Sequence, residues 1–230
     1  REKGYATGII VSNDGQILVA EGVYLDTPAV KVFTPDGKMH YGKVQRRDEG
    51  LRIALLDIDT ETPEHFEVPD EPIVKVGDWV LAVSNAFNVA SGLEPLGAGL
   101  GIVSTRGELD TKRRATDFDV EGPVLLIDAI TANPGAPGGA LVTPDGRLAG
   151  MLGKVLESES TNTGLNYAVP SDQLAAFLAG RTTVAADDDP SQDDPAADDG
   201  PAELGIRVFI LGGRRAPAYI DRGVADSPAA

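Results

Sequence analysis

Nucleophilic catalysis needs a nucleophile, a base that titrates near neutrality and a group that orients that base. The second kind of residue is scarce here. The chain has two histidines, His40 and His65. His40 stands in Lys38-Met39-His40-Tyr41 and His65 in the connection between Glu61 and Pro69, and both read as solvated or hydrogen-bonded structural residues. Without a clustered Asp/Glu pattern they do not form a zinc site. Ser84, Ser91 and Ser104 fall in strand or turn blocks with no base expected beside them. Asp57 and Asp59 alternate on one run and could share a face, but a carboxylate pair on a solvated edge is commoner than an acid/base pair. Asn133-Pro134-Gly135-Ala136-Pro137-Gly138-Gly139 is the most distinctive run of the chain.

Composition bounds what these residues can serve. The 230 residues suffice for one large or two small domains. Hydrophobic residues make up 42%, aromatics 5%, and there are 27 glycines and 16 prolines, which suits many short strands joined by tight turns. The formal net charge is −16. An acidic chain disfavours nucleic acid and anionic membrane surfaces, both of which select basic patches. There is no cysteine, so disulfides and thiolate metal sites are excluded, and no cofactor is expected. No apolar run reaches the roughly 18 residues that a membrane span needs.

Strand signals recur through residues 1–180: β-branched apolar runs at Thr7–Val11, Ile17–Val19, Val30–Phe33, Ile53–Leu56, Val80–Val83, Gly101–Ser104, Val124–Ile127, Ala140–Val142, Leu148–Leu152 and Leu165–Val169. Asp14-Gly15, Asp36-Gly37 and Asp145-Gly146 are hairpin signals, because both residue types tolerate positive φ. One helix is expected in the run Pro170–Leu178 ending at Gly180, with Ser171 capping its N-terminus and Gly180 closing it. Many strands with one terminal helix imply an all-β barrel or sandwich. Residues 181–202 carry seven aspartates and three prolines with almost nothing apolar, and read as an extended acidic linker. They lack the ordered ligand spacing of a calcium hand. Residues 203–230 turn apolar again.

Several ordered blocks resemble HtrA (Deg)-type trypsin-like serine proteases. Ala6-Thr7-Gly8-Ile9-Ile10-Val11 through Val19 is similar to the family's opening hairpin. Val76-Gly77-Asp78-Trp79-Val80 resembles its entry to the second barrel, Gly101-Ile102-Val103-Ser104 a later strand, and Asn166-Tyr167-Ala168-Val169-Pro170-Ser171 the approach to the closing helix. The resemblance implies two six-stranded antiparallel barrels, one over about 1–70 and one over about 71–180. The loop Asn133–Gly139 resembles the family's nucleophile loop, with Pro137 at the serine position. Proline has neither a hydroxyl nor an N–H, and Gly135 would be what remains of the oxyanion loop. The histidine position matches Gly22 and the aspartate position Arg52. Asp128 matches a position the family usually keeps and is expected to support the loop.

By this resemblance all three triad roles are vacant. In a well-studied serine protease, loss of the nucleophile alone costs on the order of a millionfold in turnover. The expectation is therefore a protein that is not an enzyme: a pseudoprotease binding protein or peptide without cutting it. The other reading is an active trypsin-like serine endopeptidase using displaced residues. A third is a structural, oligomer-forming module, and the resemblance implies trimers. Ala202-Glu203-Leu204-Gly205-Ile206 resembles the carboxylate-binding loop of a PDZ domain. Leu204, Gly205 and Ile206 would then hold a peptide C-terminus, on a segment that stops less than halfway through such a domain. The resemblance favours the bacterial envelope or periplasm.

Overall fold

A computed structural model describes residues 4–90, 94–108, 120–154, 156–158, 163–181, 206–210 and 218–223. The contacts divide the chain into two units, Arg1–Val184 and Ala185–Ala230.

The first unit is built from antiparallel strands. Five of them, β1 (Gly8–Ile10), β2 (Gln16–Ala20), β3 (Val30–Phe33), β4 (Met39–Asp48) and β5 (Ile53–Asp57), form one sheet in the order β1-β2-β5-β4-β3. Six more close into a barrel: β6 (Trp79–Ser84), β7 (Gly97–Glu108), β8 (Pro123–Ile127), β9 (Ala140–Val142), β10 (Leu148–Leu152) and β13 (Tyr167–Pro170). A small pair, β11 (Leu156–Ser158) and β12 (Thr163–Leu165), stands apart. The all-β class and the trypsin-like double-barrel plan hold. The six-stranded count holds for the second half; the first is a five-stranded sheet among the described residues.

Turn chemistry sets the registers. Thr34 N–H donates to Lys38 O (3.0 Å) and Thr143 N–H to Arg147 O (2.9 Å). Each closes a three-residue Pro-Asp-Gly loop whose glycine takes positive φ, 78° at Gly37 and 85° at Gly146, the geometry such loops need. The third Asp-Gly pair joins β1 to β2, with Val11 N–H donating to Gln16 O at 2.9 Å.

Helix α1 spans Ser171–Leu178. Its N-cap is Pro170 in extended conformation, not Ser171, which is the first helical residue and is buried. Proline fixes its own φ, so the chain turns into the helix one residue before the expected cap. Gly180 closes the helix as expected. Its N–H donates to Phe177 O and that of Arg181 to Ala176 O, both at 2.9 Å, a Schellman arrangement. Arg46 of β4 adds Nη2 bonds to Phe177 O (2.5 Å) and Leu178 O (3.2 Å), placing a cation at the negative end of the helix.

Four apolar clusters lie among the described residues of the unit, the smallest being Val120, Val124 and Tyr167. One lies inside the first sheet (Ile17, Val19, Leu25, Ala54, Leu56, Ile58) and one inside the closed barrel (Val80, Val103, Leu125, Leu141, Leu152). The largest draws on both halves: Ile9, Leu18, Leu51, Ile53 and Leu55 meet Val142, Leu148, Met151, Val169, Leu174 and Phe177. This seam fixes the two halves against one another and so fixes the cleft between them. Among the described residues no helix is long and apolar enough to cross a membrane.

In the second unit β14 (Ile206–Ile210) pairs antiparallel with β15 (Ala218–Gly223), Ile206 opposite Gly223. Leu204, Gly205 and the acidic stretch 182–202 lie outside the described residues.

Candidate functional site

The loop Asn133–Gly139 is held from both sides. Ala136 N–H donates to Asn133 O and Gly139 N–H to Ala136 O, each at 3.0 Å, winding two tight turns. Gly138 N–H donates to Leu152 O (2.8 Å), fastening the loop to β10. Thr7, at the entry to β1, stitches the opposite side. Its N–H donates to Pro137 O (3.1 Å) and its Oγ1 to Gly135 O (2.6 Å), while Oγ1 accepts from Asn85 N–H (2.9 Å). The loop that the glycine pattern singles out is thus a rigid joint between the two halves.

Its anchor is not Asp128. That carboxylate accepts from Ile102 N–H of β7, so it braces the barrel wall. The anchor is Asn166, whose Oδ1 accepts from Thr131 N–H (2.9 Å), Thr131 Oγ1 (3.2 Å) and Ala132 N–H (3.1 Å). Asn166 interrupts the single strand expected over Leu165–Val169, splitting it into β12 and β13. Asn166→Ala leaves these donors without their acceptor and is expected to cost about 2 kcal/mol, measured as a lowered urea midpoint at unchanged slope; a loss within the error of wild type would remove Asn166 as the anchor.

The structure brings Gly22 and Pro137 to one cleft of about 430 Å³, with Gly135, Asn133, Pro134 and Ala132 on the loop side and Glu21, Val23 and Tyr24 opposite. Tyr5, Ala6 and Lys154 complete it. Gly22 has an extended backbone that any residue adopts (φ −176°). Its glycine is a matter of space, because a Cβ there would lie 2.5 Å from Tyr24 Cε1. The Tyr24 phenol donates to Ala20 O, and burial, reinforced by the Glu21 charge, raises its pKa well above the ordinary phenol value.

Arg52 lies behind this wall. Its carbonyl accepts from Glu21 N–H (2.8 Å), and its Nη1 stands 3.5 Å from Glu21 Oε2. Arg47 Nη1 is 3.2 Å from Glu21 Oε1. Lys154, just past β10, has its ammonium pKa lowered first by burial and then by the Arg52 charge, with Glu21 acting against both. Glu21, Tyr24 and Lys154 escape a search for triad residues. The signal for Glu21 was its place beside Gly22; nothing in the sequence marks Lys154.

The other candidates lie elsewhere. His40 is on β4, and His65 Nδ1 is 3.3 Å from Thr62 O in a connection. Asp57 accepts from Gln45 Nε2 (2.5 Å) and from Asp59 N–H (2.7 Å), so this pair shapes a turn. Ser84 is buried, and its Cβ packs where a side chain on Gly139 would stand. Ser91 is outside the described residues. Among the described residues no three His, Cys, Asp or Glu side chains gather as metal ligands.

Tyr167 is buried and packs with Val120 and Val124. Burial pushes its pKa up to about 12, with a Lys154 backbone hydrogen bond and the Arg52 charge opposing. A phenol whose folded pKa exceeds its unfolded value of about 10 contributes stability that is complete below pH 10 and lost as pH rises toward 12. The expected loss between pH 9.5 and 11.5 is about 2 kcal/mol, read as a falling denaturant midpoint. Tyr24, also raised, contributes in the same range, so Tyr167→Phe should roughly halve that slope, and an unchanged slope would rule out this source.

Comparison with known proteins places these features in a family. The trypsin-like peptidase domain matches residues 6–151. A probable periplasmic serine endoprotease DegP-like of Pseudomonas putida (strain W619) is 28% identical over 166 residues, covering 72% of this chain and 32% of the relative. The putative serine protease HhoA of Synechocystis sp. is 30% identical over 191 residues, covering 81% and 44%. This chain therefore spans about a third to under half of these relatives' lengths. The structure of the HtrA-type protease AlgW with decapeptide aligns with a TM-score of 0.62 at 22% identity, over 97% of this chain and 65% of AlgW, and supports the fold.

These findings correct the expectation of a non-enzyme. The relatives are named as serine endoproteases, so kinship points to a protease. The expectation failed because it carried three roles across position by position and treated Gly22, Arg52 and Pro137 as the only places from which hydrolysis can be supported. The trypsin-like peptidase match, the DegP-like and HhoA similarities and the double-barrel fold agree: the chain belongs to the trypsin-like peptidase family.

Proposed function

We propose that this chain is the peptidase-fold region of an HtrA-type serine endopeptidase that takes an extended polypeptide into the cleft between its two halves. The observation that carries the reading is the match across residues 6–151 to a peptidase family whose curated relatives are named endoproteases. The cleft supports it: it opens at the joint where Thr7 ties β1 to the Asn133–Gly139 loop, and exposed backbone there can pair with an extended chain. Proline has no hydroxyl, so hydrolysis in this reading is launched from a residue other than Pro137. Lys154 lines the cleft, and its lowered pKa favours the neutral amine more than at an exposed lysine.

The periplasm is the matching compartment, taken from the relatives' names. An oligomer and a C-terminal peptide site around Ile206 extend the reading, and light scattering and a C-terminal peptide titration address them.

The test combines turnover with labelling. Fluorescent casein should be cleaved, and a fluorophosphonate probe should label one hydroxyl that mass spectrometry locates; alanine at that position should abolish both signals. Absence of turnover and labelling in a preparation that still binds peptide would overturn the endopeptidase reading.

A further inference from the structure

A bulky side chain on a left-handed backbone stands beside the cleft. After β6 the chain makes a short loop, Asn85–Ala90, in which Phe87 (φ 60°, ψ 16°) and Asn88 (φ 53°) follow one another in the left-handed region. Asparagine tolerates this region, whereas a phenylalanine there is an outlier, because its Cβ crowds the following carbonyl. The loop does not need that side chain in order to close. Asn88 N–H donates to Asn85 O (3.2 Å). The Asn85 amide holds the far end, its Nδ2 donating to Ala90 O (2.7 Å) and its Oδ1 accepting from Ala90 N–H (2.9 Å). Burial does not offset the strain either, since Phe87 is 61% exposed. Strained residues of this kind gather at ligand clamps, where the protein needs the side chain in that place.

We infer that Phe87 is a specificity residue: the polypeptide seated in the cleft continues past Pro134 and lays a large apolar side chain against the Phe87 ring. This rests on the cleft being the polypeptide site. Three observations carry the choice of ligand. First, the loop is continuous with the cleft. Phe87 N–H donates to Pro134 O (2.7 Å), and Pro134 lines the cleft. The next residue, Gly135, is pinned between Asn85 and Tyr5: a Cβ there would lie 2.6 Å from Asn85 O and 2.4 Å from the Tyr5 ring, which also lines the cleft. Second, nothing at this end selects a charge. Asn85–Ala90 holds no ionisable residue, Val89 is exposed beside Phe87, and the cleft lining carries one lysine and one glutamate. Third, the Asn85 bonds fix the loop in advance, so a ligand meets the ring without the entropy cost of ordering it.

The experiment uses the full chain and fluorescein-labelled, amidated heptapeptides of Ala and Thr, with a phenylalanine placed at each position in turn. One register should bind about tenfold tighter than the parent peptide without phenylalanine, and Lys or Glu at that position should give no gain. The advantage should vanish in Phe87→Gly and survive in Phe87→Trp. Phe87→Gly keeps the fold, because glycine takes this backbone without strain, and an unchanged urea midpoint checks that. Equal affinities across all registers, an equal gain with Lys or Glu, or a preference unchanged in Phe87→Gly would overturn the assignment. So would a Phe87→Gly variant that alters sedimentation but not peptide preference, since a second copy of the chain would then be what covers the ring. Titration with N-acetylphenylalanine amide, followed by amide shifts, separates this site from the reading it rests on. If no peptide binds but the amide shifts Phe87 and Val89, the polypeptide reading fails and the apolar site stands. If peptides bind without a phenylalanine preference, the polypeptide reading stands and the apolar site fails. If neither peptides nor the amide act there, both fail.

Discussion

Gly138→Ala will destabilise the protein by about 2–4 kcal/mol, the sum of a left-handed backbone penalty and an overpacking term. The φ of Gly138 is +83°. A Cβ there would stand 2.2 Å from Thr7 O and 3.0 Å from Ala20 N, both backbone atoms. Neither neighbour can yield alone. Thr7 is bonded to Pro137 and Gly135 of the same loop, and Ala20 is in register with Ile53 across β2 and β5. Relief therefore means parting the loop from β1, at the joint that shapes the cleft. Gly146→Ala is the control, because its φ is +85° and nothing lies within 4 Å of the added carbon. It should lose only the backbone term, about 1 kcal/mol. Chemical denaturation of both variants decides: equal losses would show that crowding by Thr7 contributes nothing. The Gly138 variant should also bind the peptides above more weakly at temperatures where it remains folded.

What the sequence announced and what it hid divide along physical lines. Buried strands were legible because short apolar runs have no other use at that length: Ala140–Val142 and Leu148–Leu152 match their strands end to end, as does the partly exposed Val30–Phe33. The Asp-Gly turns were legible because few residues tolerate the backbone they need. Strand β4 was not. Met39–Asp48 carries Lys43, Gln45, Arg46 and Arg47, and alternates between exposed and partly covered faces, so no apolar run marks it. Only pairing with β3 and β5 makes it a strand.

The site shows the same split. The loop at 133–139 was legible because glycine and proline density is a local property. Its anchor at Asn166 and the cleft cation Lys154 are set by tertiary approach, from 27 and 15 residues beyond Gly139, and no local pattern encodes either. What the triad comparison left out is the surroundings of its positions. It read Gly22 as a missing side chain, whereas the space a side chain would need is filled by Tyr24. It read Arg52 as a reversed charge, whereas Arg52 serves Glu21, a carboxylate one residue from Gly22. The wall is rebuilt rather than emptied.

The second large effect concerns the seam. Leu18 is fully buried on β2, opposite Leu55 of β5 and Ile9 of β1. Its neighbours Ile17 and Val19 point to the other face, into the first sheet's own cluster. Leu18 instead joins the cluster shared with Val142, Leu148, Met151, Val169 and Phe177. Leu18→Ala removes buried methyl groups from a place hemmed in by both halves, where collapse is hard, and should cost about 3–5 kcal/mol. Because the seam couples the halves, the loss should appear as one transition. Trp79, the single tryptophan, stands on β6 of the closed barrel and reports that half, while far-UV circular dichroism reports both. The two signals should shift together in Leu18→Ala, as expected of a two-state unit. If the Trp79 transition kept its wild-type midpoint while the dichroism fell earlier, the halves would be folding separately. The cleft between them would then owe its shape to the Thr7 stitches and the 133–139 loop, and not to the packed seam.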